Sequence, residues 1–230
     1  MLALLAASNT GLDIAATCTI AELYGFKPPA EWTCGAPVSA LRPRLSCLVQ
    51  DLERPLATVG GNICMSLPAG PMVTLATALE ARYTLLPRDR AQREVAAIDF
   101  VTGNHANVLE PGELPRNIHL PARALRKRFA SHRSSLTHLG RSAVFLIGTR
   151  SADEDDLLLT ITAATPRPVQ ISFDHTPSAA ELHEKKSVAF SDNIYVDIHG
   201  ELGSVEEGFR EADGIHEMTY STSRGAARAS

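Results

Sequence analysis

Two adjacent glycines held between a threonine and an asparagine, in Ala57-Thr58-Val59-Gly60-Gly61-Asn62-Ile63-Cys64, constrain this chain more than any other stretch. Glycine reaches positive φ without a Cβ penalty and lets a ligand lie close to the backbone. The stretch therefore predicts a tight turn whose consecutive N–H groups face an anion, and a diphosphate suits such a turn. Some ten residues on, Ala69-Gly70-Pro71-Met72 is followed by Leu75, Ala76 and Leu79, the i, i+3, i+4, i+7 face of a helix with proline at its first position. A helix N-terminus is thus expected after the glycine turn. Most Gly-Gly pairs are ordinary turns, so the reading depends on its context.

The rest of the chain sets that context. Its 230 residues, 44% hydrophobic and 21% charged, suffice for one large domain or two small ones. A net charge of −4 argues against nucleic acid or an anionic membrane as the main partner and favours small molecules or proteins. Cys18, Cys34, Cys47 and Cys64 form neither the close pairs of a zinc ribbon nor the spacing of a plant-type [2Fe–2S] site. Reduced thiols in a cytoplasmic protein are expected, and no metal site. The apolar opening Met1 to Ala7 has no preceding Lys or Arg and is too short to span a bilayer, so it reads as neither signal peptide nor membrane segment. No Ser/His/Asp arrangement or H-E-x-x-H pair stands out, so no side chain is expected to be catalytic.

In order, Leu12, Ile14 and Ala16 alternate as a strand, and Thr19-Ile20-Ala21-Glu22 is a capping box that starts a helix. Pro28, Pro29 and Trp32 read as a loop, and Val38 to Leu52 as a helix if Pro43 lies near its start. Arg82 to Leu86 and Glu94 to Ala97 predict a hairpin with the charged tip Pro87-Arg88-Asp89-Arg90. A polar loop then leads to the Pro111-Gly112 turn, after which Ile118 and Leu120 alternate into Pro121. Arg123, Arg126, Lys127, Arg128, Arg133 and Arg141 read as a solvated basic face or linker. Ser142 to Gly148, Leu157 to Ile161 and Val169 to Phe173 read as three strands, and Ser178-Ala179-Ala180-Glu181 as a second capping box. Toward the end, Ile194, Val196 and Ile198 alternate, and Val205, Phe209 and Ala212 share a helix face that Gly214 ends. The fold class expected is α+β.

The order of these motifs carries more than any one of them. Leu12 to Leu23, Ala57-Thr58-Val59-Gly60-Gly61-Asn62, Pro68-Ala69-Gly70, Asp99-Phe100-x-Thr102-Gly103, Leu109-x-Pro111-Gly112-Glu113-Leu114 and Ile118-x-Leu120-Pro121 together resemble the FAD-binding medium subunit of molybdenum hydroxylases, the xanthine dehydrogenase and carbon monoxide dehydrogenase family. The resemblance implies FAD as cofactor, with Ala57, Thr58, Val59, Gly60, Gly61 and Asn62 at its diphosphate and Leu109 near its ring. It also implies partners: a molybdopterin-binding large subunit, a [2Fe–2S] subunit and a small-molecule electron acceptor. Where many members of that family place Asp, this chain has Pro71, and where a Lys is common it has His132 or Arg133.

Read through that resemblance, residues 1–121 form the FAD-binding domain and 122–190 a smaller α+β domain like the family's C-terminal one. Residues 191–230 form a tail similar to a segment of the large subunit, from Val196-x-Ile198-His199-Gly200-Glu201 to Ala212-Asp213. The family's first subdomain, which shares the diphosphate with the glycine turn, is expected before Leu12 and is not found there. Two functions are accordingly expected to compete: an FAD-binding electron-transfer component, and a non-catalytic remnant or scaffold that holds little FAD by itself.

Overall fold

The computed structural model describes residues 4–27, 57–134, 144–151, 155–175, 177–178 and 181. The loop expected around Trp32, the helix expected over Val38 to Leu52 and the whole tail from 191 lie outside the described residues.

A five-stranded antiparallel sheet comes first. Strands β1 (Leu5–Ser8) and β2 (Gly11–Ala15) form a hairpin, β7 (Leu114–Pro121) pairs with β2, and β3 (Arg82–Leu86) pairs with β7 and with β4 (Arg93–Ala96), giving the order β1-β2-β7-β3-β4. Gly11 closes the first hairpin with φ of 149°, and a Cβ there would stand 2.0 Å from the Leu120 carbonyl oxygen, so only glycine fits. Side chains alternate across the sheet. Leu12, Ile14, Tyr83, Leu85, Ile118 and Leu120 face the core. On the other face Asp13 Oδ1 accepts from Asn117 Nδ2 at 2.7 Å and lies 3.0 Å from His119 Nδ1.

The local signals explain most of the remaining elements. Thr19 and Glu22 make the expected capping box of α1 (Ile20–Gly25), with Thr19 N donating to Glu22 Oε2 and Glu22 N to Thr19 Oγ1. The helix expected at Pro71 is α3 (Pro71–Ala78), preceded by a one-and-a-half-turn helix, α2 (Val59–Cys64). The segment expected as a polar loop holds a one-turn helix, α4 (Ala97–Phe100), and a small ladder of β5 (Val101–Gly103) and β6 (Ala106–Asn107). Phe100 meets Tyr83 edge-to-face at 5.1 Å in the core.

A second antiparallel sheet follows, in the order β11-β10-β9-β8. It comprises β8 (Arg128–Ser134), β9 (Val144–Arg150), β10 (Leu157–Thr162) and β11 (Val169–Phe173). The basic stretch is therefore structured, against expectation: Ala122–Arg126 is helix α5, and β8 follows with Phe129 and Ala130 buried. Its arginines concealed an apolar set (Ala122, Ala124, Leu125, Phe129, Ala130) that the charge count outweighed. Ser178 and Glu181 exchange the two hydrogen bonds of the second capping box.

Helix α3 explains why the two sheets form one body. It packs on β9 and β10, and every residue from Met72 to Leu79 is buried. A helix enclosed on all sides is apolar all round rather than amphipathic. One of its two hydroxyls, that of Thr74, and the backbone carbonyl of Thr77 meet partners on the second sheet, while the buried Thr77 hydroxyl has none among the described residues. Thr74 Oγ1 donates to Gly70 O at 3.0 Å and lies 2.9 Å from Thr162 Oγ1, while Gln170 Nε2 donates to Thr77 O at 2.9 Å. Phe129, Phe145 and Ile147 of the second sheet share one core with the first. At the rim, Lys127 lies 3.5 Å from Glu80 and 3.7 Å from Asp156, bridging the end of α3 to the β9–β10 connection.

Candidate functional site

The glycine pair lies in the first turn of α2, and neither glycine adopts positive φ; among the described glycines only Gly11 and Gly112 do. This corrects the expected turn. Thr58 is the N-cap, with extended φ and ψ of −86° and 153°, and its Oγ1 accepts from Gly61 N at 3.0 Å. Val59 N donates to Cys18 O at 2.8 Å and Gly60 N to Ala16 O at 2.9 Å. All three N–H groups of that first turn are therefore satisfied within the protein rather than turned toward an anion.

Position 60 needs glycine because of this contact. A Cβ there would meet Ala16 Cβ at 2.6 Å and Ala16 O at 2.8 Å, so α2 could not seat on the end of β2. Gly61 is exposed, and a Cβ on it would meet only Thr58 Oγ1 within 4 Å. The residues assigned from sequence thus separate into two sets. Val59 and Gly60 are buried and Ala57 packs on the core, while Thr58, Gly61 and Asn62, at i, i+3 and i+4, share the outer face.

Asn62 ties this face to α3. Its Oδ1 accepts from Met72 N at 3.1 Å, across ten residues. A backbone N–H can only donate, so the contact fixes which way the amide points. Pro71 has no N–H, and Asn62 satisfies the next orphan donor of α3 from outside the helix. Among the described residues the Asn62 Nδ2 group has no partner, and the Thr58 hydroxyl keeps its own hydrogen to give.

Leu109 stands at the other end of the candidate site, partly buried against the core in a stretch without regular structure. Four backbone polar groups about it are held. Val108 N donates to Phe100 O at 3.1 Å, and Val108 O accepts from Arg93 Nη2 at 2.9 Å. Leu109 N donates to Asn107 Oδ1 at 3.0 Å and Glu110 N to Glu113 Oε2 at 3.1 Å. Arg93 and Glu113 close the frame with a two-bond pair at 2.8 and 2.7 Å. Glu113 is buried, and Arg93 beside it holds its carboxyl below the usual carboxylate range. Asn107 Nδ2 in turn donates to Cys64 O at 3.1 Å and Ser66 Oγ at 2.8 Å, so Leu109 is fastened to the C-terminal end of α2.

Asn107, Arg93 and Ser66 were missed in the sequence. Ser66 is fully buried with φ of 49°, and no local pattern marks it. His132 lies on β8 opposite Leu146, in the second sheet. Burial pushes the Cys18 thiol up to about 11 and raises that of Cys64, which keeps both protonated at neutral pH. No described helix is long and apolar enough to cross a membrane.

Residues 2–123 match the family model of the FAD binding domain in molybdopterin dehydrogenase. Among solved structures the chain is similar to reconstituted CO dehydrogenase from Oligotropha carboxidovorans, with 22% identity and a TM-score of 0.59 over 72% of this chain and 57% of that one. It is similar also to quinoline 2-oxidoreductase from Pseudomonas putida 86, with 19% identity and a TM-score of 0.65 over 92% of this chain and 74% of that one. A third is carbon monoxide dehydrogenase from Hydrogenophaga pseudoflava lacking the Mo-pyranopterin moiety, with 17% identity and a TM-score of 0.66 over 90% and 75%. These likenesses are of fold, and the chain spans 57% of the length of the first. No curated protein sequence matches this chain.

Proposed function

Because the chain belongs to the family of FAD binding domains in molybdopterin dehydrogenases, we propose that it is the FAD-holding, electron-transferring component of a molybdenum hydroxylase. The family match supports FAD as the cofactor, and the outer face of α2 supports where its diphosphate lies. Thr58 and Asn62 carry two donor groups on one helix face, beside a residue with no side chain to block approach. That set fits phosphate oxygens, which accept hydrogen bonds and carry negative charge. Bound FAD would take up electrons and pass them to a small-molecule acceptor. The chain's own residues bind and orient: Thr58 Oγ1 and Asn62 Nδ2 hold the diphosphate, Gly61 lets it lie close, and Leu109 packs against the ring. No side chain here has to move a proton. The partners that fit this role are a molybdopterin-binding large subunit and a [2Fe–2S] subunit, with xanthine dehydrogenase-like chemistry as the finer reading and the cytoplasm as its place.

A second reading, a scaffold that no longer holds FAD, is favoured by one observation: the N–H groups of Val59, Gly60, Gly61 and Met72 all have protein partners. Side-chain donors alone bind modestly, so the affinity expected for the isolated chain is micromolar or weaker, about −8 kcal/mol. Titration of FAD, followed by flavin fluorescence, separates the readings. Asn62→Asp keeps the acceptor for Met72 N but replaces the free donor by a repelling carboxylate. It should weaken FAD about tenfold or more, the loss of one hydrogen bond to a charged group at roughly 1.5–3 kcal/mol. Saturable binding that Asn62→Asp leaves untouched would move the diphosphate away from α2, and no binding at millimolar FAD would favour the scaffold.

A further inference from the structure

The hydrogen bonds around Leu109 hold more than the fold requires. An irregular surface stretch is usually left to water and to its own turn. Here backbone groups of Val108, Leu109 and Glu110 are bonded to three side chains: Asn107 and Glu113 flank them in the same stretch, and Arg93 reaches in from β4. One of them, Glu113, is 5% exposed and is ion-paired to Arg93. Only the carboxylate of the pair is buried, the Arg93 side chain being 36% exposed, and a buried charge is costly unless good geometry and further hydrogen bonds compensate it, as they do here. What the frame fixes is a single half-buried leucine. Asn107 then relates that leucine to α2, since its Oδ1 holds Leu109 N and its Nδ2 holds Cys64 O, the last residue of the helix whose first turn carries Thr58 and Asn62.

We infer that Asn107, with the Arg93–Glu113 pair behind it, is a positioning residue that sets the span between the diphosphate face of α2 and the apolar platform of Leu109. The inference rests on the FAD reading above. It assigns roles to residues that touch no cofactor: Asn107 fixes the distance from phosphate to ring, and Arg93 and Glu113 keep the platform still. A ligand with the diphosphate alone uses only the α2 face, whereas one with a diphosphate and a flavin ring uses both ends and depends on the span.

The test compares FAD with ADP, titrated calorimetrically into the full chain and into Asn107→Ala and Arg93→Lys. The expected result is that FAD binds the unmodified chain more tightly than ADP. Each variant should lose about tenfold or more for FAD, as when an oriented contact is lost, while ADP stays within about twofold. Urea unfolding of each variant checks that it is folded. A merely structural role would lower FAD and ADP together, or neither, and either result would overturn the inference. If the unmodified chain binds ADP and FAD equally, Leu109 is no platform for the ring, which overturns this inference and leaves the α2 site standing. If it binds neither, the FAD reading falls and the inference with it.

Discussion

A methyl group added at residue 60 has nowhere to go. It would enter both the side chain and the carbonyl of Ala16, and backbone on the end of a strand cannot swing aside. Gly60→Ala should destabilise the protein by about 1–3 kcal/mol, the usual cost of overpacking, read from urea denaturation. Gly61→Ala meets only the Thr58 hydroxyl, which can rotate at the loss of a cap worth about 1 kcal/mol. Alanine recovers roughly as much through helix propensity, so the net change should be small. Equal losses at the two positions would show that packing on Ala16 is not what keeps residue 60 a glycine. The sequence marked this pair but suggested the wrong cause. Positive φ is the local reason to use glycine, whereas close approach to Ala16 depends on a residue far away along the chain. Leu109 was marked only through resemblance; Asn107 and Glu113 of its frame lie within its own stretch, but Arg93 joins them from β4, and no spacing rule points to it.

Helix α3 shows the same division between local signal and distant cause. Pro71 and the periodic Leu75, Ala76 and Leu79 announced the helix correctly, but not that both its faces would be covered. Its polar contact to β10 is asymmetric. Thr74 gives its hydrogen to Gly70 O, so Thr162 must donate to Thr74 Oγ1. Thr74→Val therefore orphans a buried hydroxyl and should cost about 1–3 kcal/mol. Thr162→Val leaves Thr74 bonded to Gly70 and should cost less, and adding it to Thr74→Val should restore stability. Additive losses in that double-mutant cycle would mean the pair does not interact. The strands were legible where alternation is strict, as in β2 and β3. Strand β8 was obscured because arginine stems can cover apolar surface while their charges reach water.

At the scale of the molecule, the chain has two sheets but one main core. Ile147 belongs to the second sheet, is fully buried, and packs in the same cluster as Met72, Leu79 and Leu120. Ile147→Ala should cost about 2–5 kcal/mol and shift a single unfolding transition seen equally by circular dichroism and by tyrosine fluorescence. Two separated transitions would place α3 with the first sheet alone. The α+β class followed from strand and helix signals in the sequence. How the sheets share α3 did not, because that contact is made by residues such as Thr74 and Thr162, whose partnership leaves no periodic trace. The line from Thr162 and Gln170 through α3 to Met72 ends on the Oδ1 of Asn62, whose other amide atom is free to hold a ligand. Linkage is reciprocal: a molecule that fixes the Asn62 amide also favours the helix end that this amide caps. On the proposal that Asn62 holds the diphosphate, part of the protein's heat resistance and part of its hold on the cofactor share that one coupling, and a sheet that touches no cofactor contributes to it.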